Sequence, residues 1–179
     1  MQEDLDSVTE WLLRASSEIP REYFQLPVAD AEEPEYRERV YCYELYHRWR
    51  CHWPGDFPFS LGGEVDKTGH PIIRGNPKPD FLVHVPGKMT NLLVVEVKPR
   101  NRDIGRMAED LKKLVAFRRQ PVNYFAAYFL VYGLTLSEWP TLRERLLLAA
   151  RGDVEFDRML ISCFVHEAPG ERAKAVAWQ

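Results

Sequence analysis

"PDFLVHVPGKMTNLLVVEVKP", residues 79–99, decides the fold. Two apolar, β-branched runs, DFLVHV and NLLVVEV, flank PGKMT, a connection of hairpin length. Antiparallel pairing sets the start of the first strand beside the end of the second. Asp80 stands at that start. Glu96 and Lys98 stand at that end, two residues apart and therefore on one face. An unpaired buried charge costs several kcal/mol, roughly, unless a partner or a metal compensates it. Three charges that look misplaced along the chain thus become one cluster at the end of two neighbouring strands.

Working outward, residues 103–119 return to helical spacing, with Ile104, Met107, Leu111, Leu114 and Val115 on one side. NYFAAYFLVYG reads as an apolar strand ending at Gly133, LSEWPTLRERLLLAAR as a helix and DRMLISCFVHE as a final strand. Upstream, EDLDSVTEWLLRASSEIP carries the stripe Leu5, Val8, Leu12 and Leu13 of an amphipathic helix. Pro20, Pro27 and Pro34 punctuate an extended acidic connection, and the segment from Pro34 to about His52 is helical. PGDFPFSLGG reads as loop, and Glu64–Lys67 as a short strand. The order is helix, helix, three strands, helix, strand, helix, strand. It predicts an α/β fold with a central mixed β-sheet flanked by helices. The apolar runs at 92–95 and 124–132 predict central strands covered on both faces. Residues 1–34 form an acidic N-terminal helix and connection, 35–170 the main domain, and 171–179 a C-terminal tail.

The chain has 179 residues, 45% of them hydrophobic and 28% charged, which suits one soluble globular domain. No run approaches the roughly 20 apolar residues that span a bilayer, and the acidic N-terminus lacks a leader pattern. Cys42, Cys51 and Cys163 are odd in number without a CxxC pair, which predicts a reducing, cytoplasmic setting. Cys42, His47, Cys51 and His52 match no structural-zinc spacing. The net charge of −3 hides an asymmetry: residues 1–35 carry ten acids and two arginines, whereas residues 98–119 carry eight basic residues against three acids. Such a basic segment is either a phosphate-attracting face or a solvated helix surface.

Two carboxylates with a backbone carbonyl between them are hard oxygen ligands that suit Mg²⁺ or Mn²⁺. A lysine beside them can orient a water, or deprotonate it if its own pKa is depressed. Pro79-Asp80 followed by Glu96-Val97-Lys98 at two strand ends, with a helix next, resembles the PD-(D/E)XK nuclease superfamily. YCYELYHRWR, GEVDK, KPDFLVH, NLLVVEVK and DLKKL are similar to a group of uncharacterised bacterial members of it. The resemblance implies a restriction-endonuclease-like core and a metal-dependent nuclease. Asp80, Glu96 and the Val97 carbonyl would hold Mg²⁺ or Mn²⁺, and Lys98 would manage the nucleophile. Glu44, among aromatic neighbours on the first core helix, would be a further catalytic acid. Glu64 and His84 are additional candidates, Arg100, Arg102 and Arg106 would contact phosphates, and Asp110 with Lys113 reads as an intrahelical ion pair. Nucleic acid is the expected partner, DNA ahead of RNA, with no membrane and a homodimer as in other small members. The alternative is a silent nuclease-like fold that serves as a nucleic-acid-binding or assembly module.

Overall fold

A computed structural model describes residues 1–63, 78–150 and 157–178. The elements are α1 (Gln2–Ser17), α2 (Arg21–Phe24), α3 (Glu38–Cys51), β1 (Ser60–Gly63), β2 (Phe81–His84), β3 (Asn91–Pro99), α4 (Ile104–Arg118), β4 (Ala126–Tyr132), α5 (Trp139–Ala149), β5 (Ser162–His166) and β6 (Lys174–Val176), with a 3-10 turn at Arg158–Leu160. The strands form one mixed sheet in chain order, β1 to β6. The β2–β3 hairpin is antiparallel, and β3, β4 and β5 run parallel. Every residue of β3 and β4 is buried, as expected of central strands with both faces covered.

Alternation sorts the side chains into two apolar layers. Phe81, Val83, Val95, Val97, Tyr128 and Leu130 meet α1 and α3 through Val8, Leu12, Tyr41, Leu45 and Trp49. Leu82, Val94, Ala127, Phe129 and Val131 meet α4 and α5 through Met107, Leu111, Leu114 and Leu142. Even-numbered residues of β2 and β3 around the hairpin's open end therefore face α4.

Several expectations change. Ser60–Gly63, read as loop, is edge strand β1 and pairs antiparallel with β2. Its glycines give no strand signal, yet Gly63 lets the Tyr46 ring approach to 3.4 Å of where a Cβ would stand. The expected strand at Glu64–Lys67 lies outside the described residues. Inside the acidic connection, Arg21–Phe24 forms one helical turn. α3 begins at Glu38 rather than near Pro34, because Leu26 and Glu35 form an antiparallel bridge that keeps the backbone before the helix extended. Residues 171–178 are more than a tail. Lys174–Val176 add strand β6, the Ala173 N–H donates to Ser16 Oγ at 2.8 Å, and the buried Trp178 ring lies 5.6 Å from that of Trp139. Residues 1–34 likewise share the main core through α1 and Phe24. Among the described residues no helix is long and apolar enough to cross a membrane.

Candidate active site

The hairpin register pairs Phe81 with Val95 and Leu82 with Val94, so Asp80 and Glu96 are the next cross-strand neighbours. Alternation puts both on the face toward α4. The rung beyond would set Val97 opposite Pro79, which precedes the start of β2. There the Asp80 carboxylate replaces backbone, and its Oδ2 accepts the Val97 N–H at 2.7 Å. That bond fixes the Asp80 rotamer against the end of β3.

Lys98 lies two residues past Glu96 and is 3% exposed. Its Nζ is 3.1 Å from Glu96 Oε2, 3.2 Å from Glu38 Oε1, 3.4 Å from Asp110 Oδ2 and 3.6 Å from Asp80 Oδ2. Four carboxylates from α3, the start of β2, β3 and α4 thus surround one ammonium. Glu38 opens α3, where the helix N-terminus favours an anion. Asp110 lies on the buried stripe of α4 and is held from outside by Lys113, 2.6 Å from its other oxygen.

Charge is unbalanced in this small volume. Burial raises the Glu96 pKa well above the carboxylate range, with the Asp80 charge adding to it. Burial also raises Asp80, although Lys98 and the Val97 N–H pull it back, and it raises Glu38. For Lys98, burial acts downward, but Asp80, Glu96, Asp110 and Glu38 outweigh it and hold the amine above its ordinary range. Lys98 is therefore held in its charged form in the metal-free protein. The condition for deprotonating water, a depressed pKa, is not met there, and the role of orienting a water is the one the surrounding acids favour.

Glu44 is not at this cluster. It is held one turn along by Arg48, whose Nε donates to Oε1 at 2.6 Å. Six residues separate Glu38 from Glu44, about 120° around the helix and 9 Å along it. The acid that α3 brings to the cluster is Glu38. His84 ends β2 opposite Asn91, four residues or about 13 Å along the strand from Asp80, at the wrong end of the hairpin. Glu64 lies outside the described residues.

The basic segment is partly spent on the fold. Arg100 donates to Glu138 at 2.6 Å and to the Gly133 carbonyl at 3.2 Å, tying the end of β3 to the start of α5. Arg118 holds the Tyr124 and Phe125 carbonyls, and Lys112 pairs with Glu109. Arg102 is half-buried, and its charge acts on Glu38, while Arg106 is exposed on the first turn of α4. These two remain placed to meet a polyanion. The aromatics of α3 fill the core: Tyr41 and Trp49 are fully buried, and only Tyr43 is strongly exposed. Cys42 is buried, Cys51 is exposed, and His52 Nε2 lies 3.0 Å from Glu18 Oε2.

The raised acids set a pH dependence. Asp80, Glu96 and Glu38 bind protons more readily folded than unfolded, so metal-free stability rises as pH falls through their folded pKa values toward about 4. Buried His166 opposes this. Burial lowers it to about 4, so its share of stability is lost as pH falls from about 6.5 toward 4. Metal-free thermal midpoints should therefore climb as pH falls through the folded pKa values of these acids, and Glu96→Gln should flatten the climb. A pH profile of Glu96→Gln identical to that of wild type would show that Glu96 titrates normally.

Among the described residues no group of three histidine, cysteine or acidic side chains is arranged as a ready metal cage. The Lys98 ammonium occupies the centre of the carboxylates instead. Compared with known proteins, the chain matches no family model, and no curated protein matches it.

Proposed function

We propose that the chain is a metal-dependent nuclease that hydrolyses phosphodiester bonds of nucleic acid, DNA ahead of RNA, on a restriction-endonuclease-like core. The observation that carries this reading is Lys98 Nζ within 3.6 Å of four carboxylates, two of them cross-strand neighbours at the hairpin's open end. Buried acids crowded around one strand end, with raised pKa values, cluster at functional sites, which favours chemistry over a fold kept only for binding.

The donor set suits Mg²⁺ or Mn²⁺. The oxygens are hard, the acids outnumber the ammonium, and Glu38 Oε2 is buried without a hydrogen-bond partner. Asp80, Glu96 and Glu38 would hold the ion. The Val97 N–H already points to Asp80, and the carbonyl of the same residue projects to the same strand edge. When bound, the ion supplies Lewis acidity toward a phosphoryl oxygen and an acidified water. Lys98, as an ammonium, donates hydrogen bonds to the nucleophile or to the charge that develops on phosphorus. Asp110 keeps that amine from swinging away. Arg102 and Arg106 meet phosphates beside the cleft.

The direct test is a screen on single- and double-stranded DNA and RNA with Mg²⁺ and Mn²⁺. Cleavage that EDTA and Asp80→Asn both abolish supports the reading, and no cleavage of any substrate with either metal removes it. If Arg102 and Arg106 hold phosphates, changing both to Gln should lower the salt slope of binding by about 2 without a change in sequence preference. An unchanged slope would reduce both arginines to helix solvation.

A further inference from the structure

Behind the acid cluster, on the α3 side of the sheet, lies a group of aromatic residues for which the chemistry above has no use. Tyr132, the last residue of β4, pairs with Pro99, one residue beyond Lys98 on β3. Its ring stacks on that of Tyr41 at 3.9 Å and 12°. Tyr41 is itself fixed, with its hydroxyl 2.7 Å from His166 Nδ1. Phe24 and Tyr36 pack edge-on against Tyr132 at 5.6 Å each. Gly133, at φ +76, has no Cβ, and the space it leaves is filled by the Tyr36 ring. The Tyr132 phenol can therefore neither rotate away nor reach solvent, and it is fully buried.

Its hydroxyl nevertheless has no hydrogen-bond partner. Buried phenols normally find one, so the exception calls for an explanation. Glu38 precedes Tyr41 by three residues, one turn back on the same face of α3. Glu38 Oε1 is taken by Lys98, whereas Oε2 is buried and also lacks a partner. A donor and an acceptor, both unsatisfied, thus lie at the same strand end on adjoining turns of one helix interface. Burial raises the Tyr132 phenol, and the Glu38 charge is near enough to add to the rise.

We propose that Tyr132 is a positioning residue for Glu38: its hydroxyl donates to Oε2 when Glu38 turns from Lys98 to a divalent cation, orienting the carboxylate as a ligand. The inference rests on the metal site proposed above. Partners of this kind change metal affinity by about 10–100-fold. The aromatic stack makes the geometry rigid, because Tyr41, Phe24 and Tyr36 hold the ring from three sides.

Tyr132→Phe tests this by removing one oxygen and leaving the stack intact. Mn²⁺ binding is titrated calorimetrically for wild type, Tyr132→Phe, Glu38→Gln and the double variant, with metal-free thermal midpoints alongside. Tyr132→Phe should bind Mn²⁺ about tenfold more weakly with an unchanged or higher midpoint, since an unsatisfied buried group is gone. In the Glu38→Gln background the same change should do nothing. Equal Mn²⁺ affinity in wild type and Tyr132→Phe would overturn the inference alone. A loss that persists in the Glu38→Gln background would overturn it too, by showing a general packing effect. Absence of saturable Mn²⁺ binding in wild type would overturn the inference together with the metal site on which it rests.

Discussion

Lys98→Met is expected to cost the metal-free protein about 3–5 kcal/mol at neutral pH, because it leaves four carboxylates without their shared central cation, and only Asp110 keeps a partner, in Lys113. For a chain of this size that is a fall of roughly 6 to 20 °C in thermal midpoint. Three of the acids, Asp80, Glu96 and Glu38, are pushed above their ordinary range even with Lys98 present. Without it they take up protons, so the variant's stability should depend steeply on pH and recover toward pH 5.5. Saturating Mg²⁺ should also restore much of the loss, since a cation that binds only the folded site stabilises it by mass action. Urea unfolding at pH 7.5 and 5.5, with and without Mg²⁺, reads both effects. A Lys98→Met protein as stable as wild type at pH 7.5 would mean that the acids are solvated enough to need no counter-charge.

The hairpin was the most legible part of the chain. Two β-branched runs at a fixed separation allow few pairings, and only antiparallel pairing brings Asp80 to Glu96. The same periodicity placed β3 and β4 at the centre of the sheet. Edges were harder to read. β1 consists of SLGG, and β6 of three residues near the C-terminus. Both owe their conformation to a neighbouring strand rather than to their own composition, which is the usual limit of local propensity.

Among the site acids, the misreading of α3 is instructive. Glu44 attracts notice because its sequence neighbours are aromatic, but neighbours in sequence point around the whole helix. Glu44 is itself buried, against Arg48, so burial alone does not single out the acid, and the better signal is the apolar stripe Tyr41, Cys42, Leu45 and Trp49. Glu38 continues that stripe one turn toward the N-terminus. Asp110 repeats the lesson on α4, where it falls between Met107 and Leu114 on the buried face. Its spacing from Lys113 suggested an ordinary surface pair, and that pair does form, yet the other oxygen reaches Lys98. An acid at helical spacing within an apolar stripe is a stronger indication of a site than an acid flanked by aromatics. The start of α3 adds a second obstacle. It is fixed by the bridge between Leu26 and Glu35, a contact that no helix-start residue announces.

The other large effect belongs to the two acids at the hairpin's open end. Asp80→Asn and Glu96→Gln keep the size and hydrogen-bonding reach of the side chains but remove a ligand charge. Each should reduce Mg²⁺-dependent cleavage by a thousandfold or more, about 4 kcal/mol of transition-state stabilisation, because a metal site deprived of a carboxylate loses charge and orientation together. Stability should move the other way. Glu96 is 4% exposed and faces Asp80 and Asp110 as well as Lys98, so neutralising it relieves like-charge repulsion that one ammonium cannot balance. Glu96→Gln should therefore raise metal-free stability by about 1 kcal/mol, or roughly 2 to 4 °C. Asp80→Asn gains less, because Asp80 also accepts the Val97 N–H at 2.7 Å, and an amide oxygen accepts that bond more weakly than a carboxylate does. The opposed signs separate chemistry from architecture. If both variants lost activity only through unfolding, their midpoints would fall with their rates. A Glu96→Gln protein that is less stable than wild type without metal would show that Glu96 serves the fold as a counter-ion for Lys98, and that the cluster is a structural ion network.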